Sequence, residues 1–328
     1  MEVKQPAVKI TYNSTDVTLD FTRLLQSFSY EDAATGYMDT VTLKMVNDAR
    51  FNMAWYPDPG DKLLIQFGYV GALVDAGEFE IDEIEFSGLP DVVTLKATAT
   101  PYTRSLRTLN SRSFENLTLQ AIVARVAADN QVSMSGSVDD SVVIPRVTQL
   151  REDDLQFLAR ICREYGYGFS CRATTFNFFK FEDLESVAPG IVLTRKDILS
   201  YRLTDKTKRT YRRAVLAHRD PGARELITQS SDANAVATQD ELKLYASAKS
   251  TAEALLKTRA ALYLANTKKV SGAISVPGNP RFTAGLNVTV QDLGALNGTY
   301  HILSSRHTIT ATGGYVTDIQ IKRVTNEN

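Results

Sequence analysis

The sequence of 328 residues points to a mainly β protein with an α/β insert, built as two related β-barrel domains on either side of that insert. Apolar residues recur with period two towards both ends, and the period shifts to that of a helix in the middle. The two strand-rich ends also carry the same landmarks in the same order, the mark of an internal repeat.

In the first end, alternating runs at Val41–Val46, Lys62–Phe67, Glu78–Phe86 and Val92–Thr98 read as strands with one buried face. Breakers at Pro57–Gly60, Gly68–Gly77 and Ser87–Asp91 separate them, as short strands of a barrel or sandwich require. This domain is expected to cover residues 1–105. The insert, residues 106–200, opens with an amphipathic helix from Thr118 to about Asn130, in which Thr118 is available as the N-cap. A second helix is expected within Leu150–Gly166, with Leu155, Leu158, Ile161, Cys162 and Tyr165 on one face and Gly166 as its stop. Aromatic alternation over Phe169–Phe181 then predicts a hairpin turning at Ala173–Thr175. Residues 201–328 form the second barrel domain, with a strand at Arg213–His218 and a long helix over 240–266 that Asp240 would cap. Its closing strands are expected at Leu286–Val290, Thr299–Leu303, His307–Thr310 and Tyr315–Ile321.

The repeat is read by laying one end on the other. Pro59 and Gly60 open a strand with Leu63 and Ile65 in phase, and Ala284 and Gly285 open one with Val288 and Val290 at the same offsets. Gly77, Phe79 and Ile81 then match Gly298, Tyr300 and Ile302, and a Val-Thr strand comes after each, from Val93 and from Val316. The glycine landmarks stand 17 residues apart in the first copy and 13 in the second.

The order of these motifs resembles the late control D family of phage tail hub proteins, which is similar to the hub module of the valine-glycine repeat spikes of type VI secretion. The residues that carry the resemblance are Gly60–Gly68, Gly77 with Phe79, Leu89–Ala97, Arg104–Leu119, the helix with Asp154, Leu155, Phe157, Leu158 and Gly166, and Pro280–Gly285 with Gly298 and Tyr300. The resemblance implies two barrels per chain and three chains per ring, a pseudo-hexameric homotrimer between a sixfold tail tube and a threefold spike. It also implies partners: tail tube protein, a separate spike protein, tape-measure protein and other baseplate proteins. DNA would be met only in transit. The place would be the virion, at the tail baseplate, after synthesis in the host cytoplasm. Ending at Asn328, the chain lacks the extension of the valine-glycine proteins, hence the expectation of a separate spike.

Composition narrows the other classes. With 37 Lys and Arg against 38 Asp and Glu, the net charge of -1 supplies no general attraction to nucleic acid or an anionic membrane. Hydrophobic residues at 43% and charged residues at 23% are those of a globular chain, not a disordered one or a coiled coil. Cys162 and Cys171 are the only cysteines, so neither a disulfide framework nor a thiolate metal site is expected, and a reduced, cytosolic origin fits. Glu152, Asp153 and Asp154 could form a carboxylate cluster, but adjacent acids opening a helix are better explained as cap and dipole residues. His301 and His307 would share a strand face only if no turn lies between them, and Leu303–Arg306 argues for one. Basic runs at Arg104–Arg112 and Lys206–Arg213 are consistent with nucleic acid but more ordinary as solvated or partner-binding faces. No catalytic, cofactor or metal residue is assigned, and the chain is expected not to be an enzyme. The competing class is a peptidoglycan-binding or peptidoglycan-acting tail component, in which the two-helix insert would hold glycan.

Overall fold

The computed structural model describes residues 4–35, 38–47, 57–58, 60–99, 106, 108–172, 175–206, 208, 210–219, 226–232, 238–246, 248, 250–267, 269–312 and 314–324. The first strands are β1 (Pro6–Tyr12), β2 (Thr15–Asp16), β3 (Leu25–Ala33), β4 (Thr40–Val46), β5 (Lys62–Tyr69), β6 (Ala72–Ser87) and β7 (Val92–Thr98). The middle holds β8 (Asn110–Thr118), β9 (Ser133–Ser135), β10 (Val143–Glu152), β11 (Tyr167–Arg172), β12 (Thr175–Lys180), β13 (Ile191–Leu193) and β14 (Ser200–Asp205). The last are β15 (Arg213–Arg219), β16 (Leu226–Asp232), β17 (Glu241–Leu244), β18 (Val270–Pro277), β19 (Asn287–Val290), β20 (Gly298–Thr310) and β21 (Gly314–Arg323). The helices are α1 (Thr18–Leu24), α2 (Leu119–Asp129), α3 (Asp154–Glu164), α4 (Phe181–Glu185) and α5 (Thr251–Asn266).

The mainly β expectation holds, but the two barrels do not close among the described residues. The strand-rich ends instead share one open sheet in the order β14-β18-β21-β20-β3-β4-β7-β6-β5-β1-β2, with β19 against β20 and β13 against β19. The physical reason is β20. It is one 13-residue strand, not two strands around a turn, and after pairing with β19 it runs on to pair with β3.

Each unit keeps its own apolar core. The first packs Ile10, Phe28, Val41, Leu43, Leu63, Ile65, Phe79 and Leu95, with Ile309 and Tyr315 reaching in from the last two strands. The second is built on Leu193, Ile274, Val288, Val290, Tyr300, Ile302, Ile319 and Ile321. Between them in sequence, a third core joins α2 and α3 to the aromatic hairpin β11–β12 through Phe114, Ile122, Phe157, Leu158, Phe169 and Phe176. Burying this much apolar surface is the main driving force for each unit.

Several local expectations change. Thr118 does cap α2, its Oγ accepting from the Ala121 amide at 3.2 Å. The second helix starts later than its apolar pattern, because Leu150 and Glu152 finish β10 against β8 and Asp153 caps at 2.7 Å from the Gln156 amide. The expected turn residues Ala173 and Thr174 lie outside the described residues. The long helix begins at Thr251 instead of 240, capped by Ser250 and not by Asp240. Residues Glu241–Leu244 pair in parallel with β15, so tertiary pairing overrides the helix propensity of a Leu- and Lys-rich stretch. The buried stripe of α5 also differs: it carries Glu253, Lys257 and Thr258, which a purely apolar pattern passes over.

Candidate functional site

The residues singled out by the repeat sit at matching places in the two units. In the first, the Gly60 amide donates to the Ile81 carbonyl at 2.7 Å and the Ile81 amide to Asp61 at 2.9 Å. In the second, the Gly285 amide donates to Ile302 at 2.9 Å and the Ile302 amide to Leu286 at 2.8 Å. Both glycines have φ near +95°, at +97° and +92°, where a side chain is strained. Gly77 stands opposite Ile65 and Gly298 opposite Val290; Phe79 faces Leu63 and Tyr300 faces Val288. Phe79 and Tyr300 are completely buried, and the Tyr300 hydroxyl donates to the Leu296 carbonyl at 2.7 Å. A register shift comes after the same isoleucine in each copy, between Ile81 and Glu83 and between Ile302 and Ser304. Such bulges bend a strand and re-aim the side chains beyond them.

Strand neighbours match too. β3-β4-β7-β6-β5 has the same antiparallel order as β14-β18-β21-β20-β19. The outermost neighbours differ in direction, β1 being antiparallel to β5 and β13 parallel to β19.

The joint between the units is the pairing of β20 with β3, from Ser304 opposite Ala33 to Thr310 opposite Ser27. Across it, Arg306 meets Glu31 at 2.9 Å on the exposed face. On the buried face, His307 stacks on Tyr30 with ring centroids 5.9 Å apart and lies 5.0 Å from the Phe67 ring. The Phe282 carbonyl can only accept, so His307 Nε2 carries the hydrogen at 3.0 Å, and Nδ1 accepts from the Tyr315 hydroxyl at 2.8 Å. Asp32 accepts from the Ala284 amide at 2.8 Å, tying β3 to the second unit's strand entry. None of Phe28, Tyr30 and Asp32 stands out in a search for motifs. Their signal is the plain alternation of Leu25–Ala33, and their role depends on a partner some 270 residues away.

The histidines do not form a common site. His301 is paired with Lys322 and His307 with Thr317 on β21, positions of opposite parity, so the two rings lie on opposite faces. Burial pushes both down to about 4, with the Lys322 charge adding to the effect at His301, so both are neutral at pH 7. Burial likewise pushes the Cys162 thiol well up and that of Cys171 up to about 11, which makes both poor nucleophiles.

Asp154 does more than complement a helix dipole. It is 2% exposed and accepts from Arg112 at 2.7 Å, Gln149 at 2.8 Å, Asn110 at 3.2 Å and Asn130 at 2.7 Å. It thereby ties α3 to β8, β10 and the end of α2. Leu155 is half-buried beside it, while Phe157, stacked on Phe114 at 5.3 Å, and Leu158 are fully buried. Gly166, at φ +87°, ends the helix as expected. Arg112 also meets Asp129 at 2.7 Å, so this member of the first basic run is spent inside the protein. In the second run, Arg212 donates to Gln239 at 2.8 Å, and Tyr211 is held at both backbone atoms by the Asn266 amide.

The insert docks on the second unit through buried charge. Lys257 sits between Glu253 at 2.9 Å and Glu164 at 2.8 Å, and the Tyr165 hydroxyl donates to Glu253 at 3.0 Å. Nearby, Glu185 receives Lys322 at 2.5 Å and the Tyr263 hydroxyl. A cleft of about 660 Å³ lies between insert and sheet, lined among others by Arg160, Arg163, Phe169, Phe181, His301 and Gln320. Among the described residues no group of acids, histidines and cysteines is placed to hold a metal, and no helix is long and apolar enough to cross a membrane.

Comparison with known proteins places this architecture. Residues 94–313 match the family described as phage tail baseplate hub (GPD). The probable baseplate hub protein of Escherichia phage 186 is 29% identical over 200 residues, covering 58% of this chain and 50% of the relative. The match thus spans about half the length of that curated relative. The 43 kDa tail protein of prophage MuSo2 from Shewanella oneidensis shares the fold with a TM-score of 0.72 at 13% identity, over 98% of this chain and 99% of that one. The E. coli c3393 protein, a component of the type VI secretion system, shares it with a TM-score of 0.56 at 13% identity, over 90% and 73%.

Proposed function

Because the chain belongs to the phage tail baseplate hub family, we propose that it is the structural ring of the baseplate hub, in which three copies present six strand units to a sixfold tail tube and threefold symmetry to a spike. The observation that carries this reading is the doubled strand unit, with its paired glycine-to-isoleucine hydrogen bonds and equivalent bulges. A layer between unlike symmetries needs parts that look alike on one side and unlike on the other. The two units are alike in strand order and differ in their attachments, since only the second carries the docked insert. Closed cyclic assembly also uses up a head-to-tail interface that would otherwise build filaments.

The motif residues Gly60, Gly77, Phe79, Gly285, Gly298 and Tyr300 then act as the frame of the ring wall, and Asp154, Leu155, Phe157, Leu158 and Gly166 as the frame of the insert. The working domain plan is 1–105, 106–200 and 201–328. In the particle the partners are the tube, a spike, the tape measure and other baseplate proteins, and DNA passes through without being read. The site of action is the virion tail. Buried, neutral histidines and raised thiols support a structural role over a catalytic one.

Light scattering of the purified protein over a concentration series tests the reading, with a mass of three chains expected. A stable species of six chains, each ring position filled by a whole chain, overturns it. Incubation with purified murein tests the peptidoglycan reading separately, since a hub neither sediments with murein nor cleaves it.

A further inference from the structure

The cleft between insert and sheet has the size and the chemistry of a binding site. Its sheet side carries His301, Leu303, Gln320 and Lys322, and its insert side is made by α3 and the hairpin β11–β12. The volume of about 660 Å³ falls in the range, roughly 300–1,000 Å³, of pockets that enclose a ligand. A glycine shapes one wall: Gly168 stands opposite Phe179, and a Cβ there would come within 2.1 Å of the Phe179 ring. The walls are also fixed without an occupant, α3 through Asp154 and the hairpin through its aromatic core, so binding has little left to order.

Asn287 fixes the state of His301. Its Nδ2 donates to the Leu184, Glu185 and Val187 carbonyls at 2.9, 3.1 and 2.6 Å, so its Oδ1 is the atom 2.8 Å from His301 Nδ1. Nδ1 therefore carries the hydrogen, and Nε2 is an acceptor without a partner among the described residues, on a ring only 4% exposed. Burial and the Lys322 charge keep that ring neutral, so the acceptor persists at pH 7. A buried polar atom left unpaired is costly until something pairs it. The charge of the cleft is one-sided as well. Among the described residues lining it none is acidic, and Arg160, Arg163 and Lys322 are basic. Arg160 is committed to Glu152 at 3.0 Å and Lys322 to Glu185 at 2.5 Å. Arg163 is exposed, and its guanidinium has no partner among the described residues. Leu303, 40% exposed, adds an apolar edge to the half-buried rings of Phe179 and Phe181.

We propose that this cleft docks an acidic segment of a partner protein: an apolar side chain enters among Phe179, Phe181 and Leu303, a neighbouring carboxylate meets Arg163, and an N–H or O–H of the segment donates to His301 Nε2. One free guanidinium suits one carboxylate, and a carboxylate takes it in a bidentate pair. Single-stranded nucleic acid fits less well, because its charge at every residue calls for a groove of several cations. A glycan also fits less well, because walls of phenylalanine and leucine would leave most of its hydroxyls unpaired. The site lies within one chain and does not depend on the ring reading.

Fluorescence polarisation with dye-labelled, end-blocked hexapeptides tests the proposal on the whole protein. The probes carry a central leucine or phenylalanine flanked by aspartate or glutamate, and the control set carries asparagine or glutamine in place of the acids. Saturable binding of acidic probes and not of their amide controls is expected. Arg163→Gln is expected to weaken it by about tenfold or more, the usual effect of losing a charged hydrogen bond. Leu303→Asp, which sets a like charge against the acidic segment, should weaken it too, as should His301→Phe. Arg163 and Leu303 are exposed, so those two variants decide the matter even if the buried histidine change lowers stability. Binding of neither set, equal binding of both, or indifference to Arg163→Gln would overturn the proposal. Preferential binding of murein fragments or of a single-stranded oligonucleotide, tried in the same assay, would overturn it in favour of that ligand. The mass in solution judges the ring reading separately from all of these outcomes.

Discussion

The two strand units agree at their cores and differ at their joints. Leu63, Ile65, Phe79 and Ile81 of the first unit correspond to Val288, Val290, Tyr300 and Ile302 of the second, and all eight are buried. Where the second unit has His301, Ser305, His307, Thr317 and Lys322, all buried, the first has Glu80, Ile84, Phe86, Val93 and Thr98. The apolar set holds a unit together whichever copy it belongs to. The polar set marks what only the second unit does: its β20 binds β3, and its β21 carries the insert through Lys322 and Glu185. Duplicated packing with diverged attachments is how one chain can present like units to one neighbour and unlike surfaces to another.

The largest expected effect tests the shared cores. Phe79→Ala and Tyr300→Ala should each cost about 3–5 kcal/mol, because each removes a fully buried ring. Denaturant midpoints measure both, and a large loss at one position with none at the other would break the equivalence.

The next test sharpens the difference between the units. His301 and His307 titrate at about 4 when folded, against an ordinary value near 6.5. The unfolded chain therefore takes up protons first as the pH falls. Stability is full above about pH 6.5 and is lost progressively down to about 4, by about 3 kcal/mol per histidine. Replacing His307 by Phe, the residue at the matching place in the first unit, should remove one histidine's share of that slope. Melting curves from pH 7 to 4 with the same slope in both proteins would place the pH response elsewhere.

Smaller again is the cost of the strand entries. Gly60→Ala and Gly285→Ala both place a Cβ in open space, so only the left-handed backbone is penalised, by about 1–2 kcal/mol. Equal losses by thermal melting would support equivalence, and unequal ones would show that one entry has lost its role. Asp153→Ala, outside both units, should cost about 1 kcal/mol through the lost helix cap and leave the mass in solution unchanged.

Much of this was legible in sequence because it is local. The alternation over Lys62–Phe67, the cap at Thr118, the stop at Gly166 and the landmark order from Gly60 to Tyr300 each depend on neighbours a few residues away. What was not legible depends on distant partners. β20 reads as two strands because a bulge at Leu303 breaks its period, and only β3 shows why the strand continues. Glu241–Leu244 reads as helix because its propensity is helical, while pairing with β15 decides otherwise. In α5, Glu253 and Lys257 are buried because they neutralise each other with Glu164 of α3, and Thr258 because its hydroxyl donates to the Ala254 carbonyl one turn back, conditions that hydrophobic periodicity does not register. Asp154 reads as a dipole residue, yet all four of its partners come from other elements with no shared period.

Cryo-electron microscopy of the assembled ring, at a resolution that separates strands, tests the central claim most directly. The account expects three chains and six strand units around one passage, with the two units of each chain joined by β20 and β3. Six chains around the passage, or a ring with one strand unit from each chain, would contradict it.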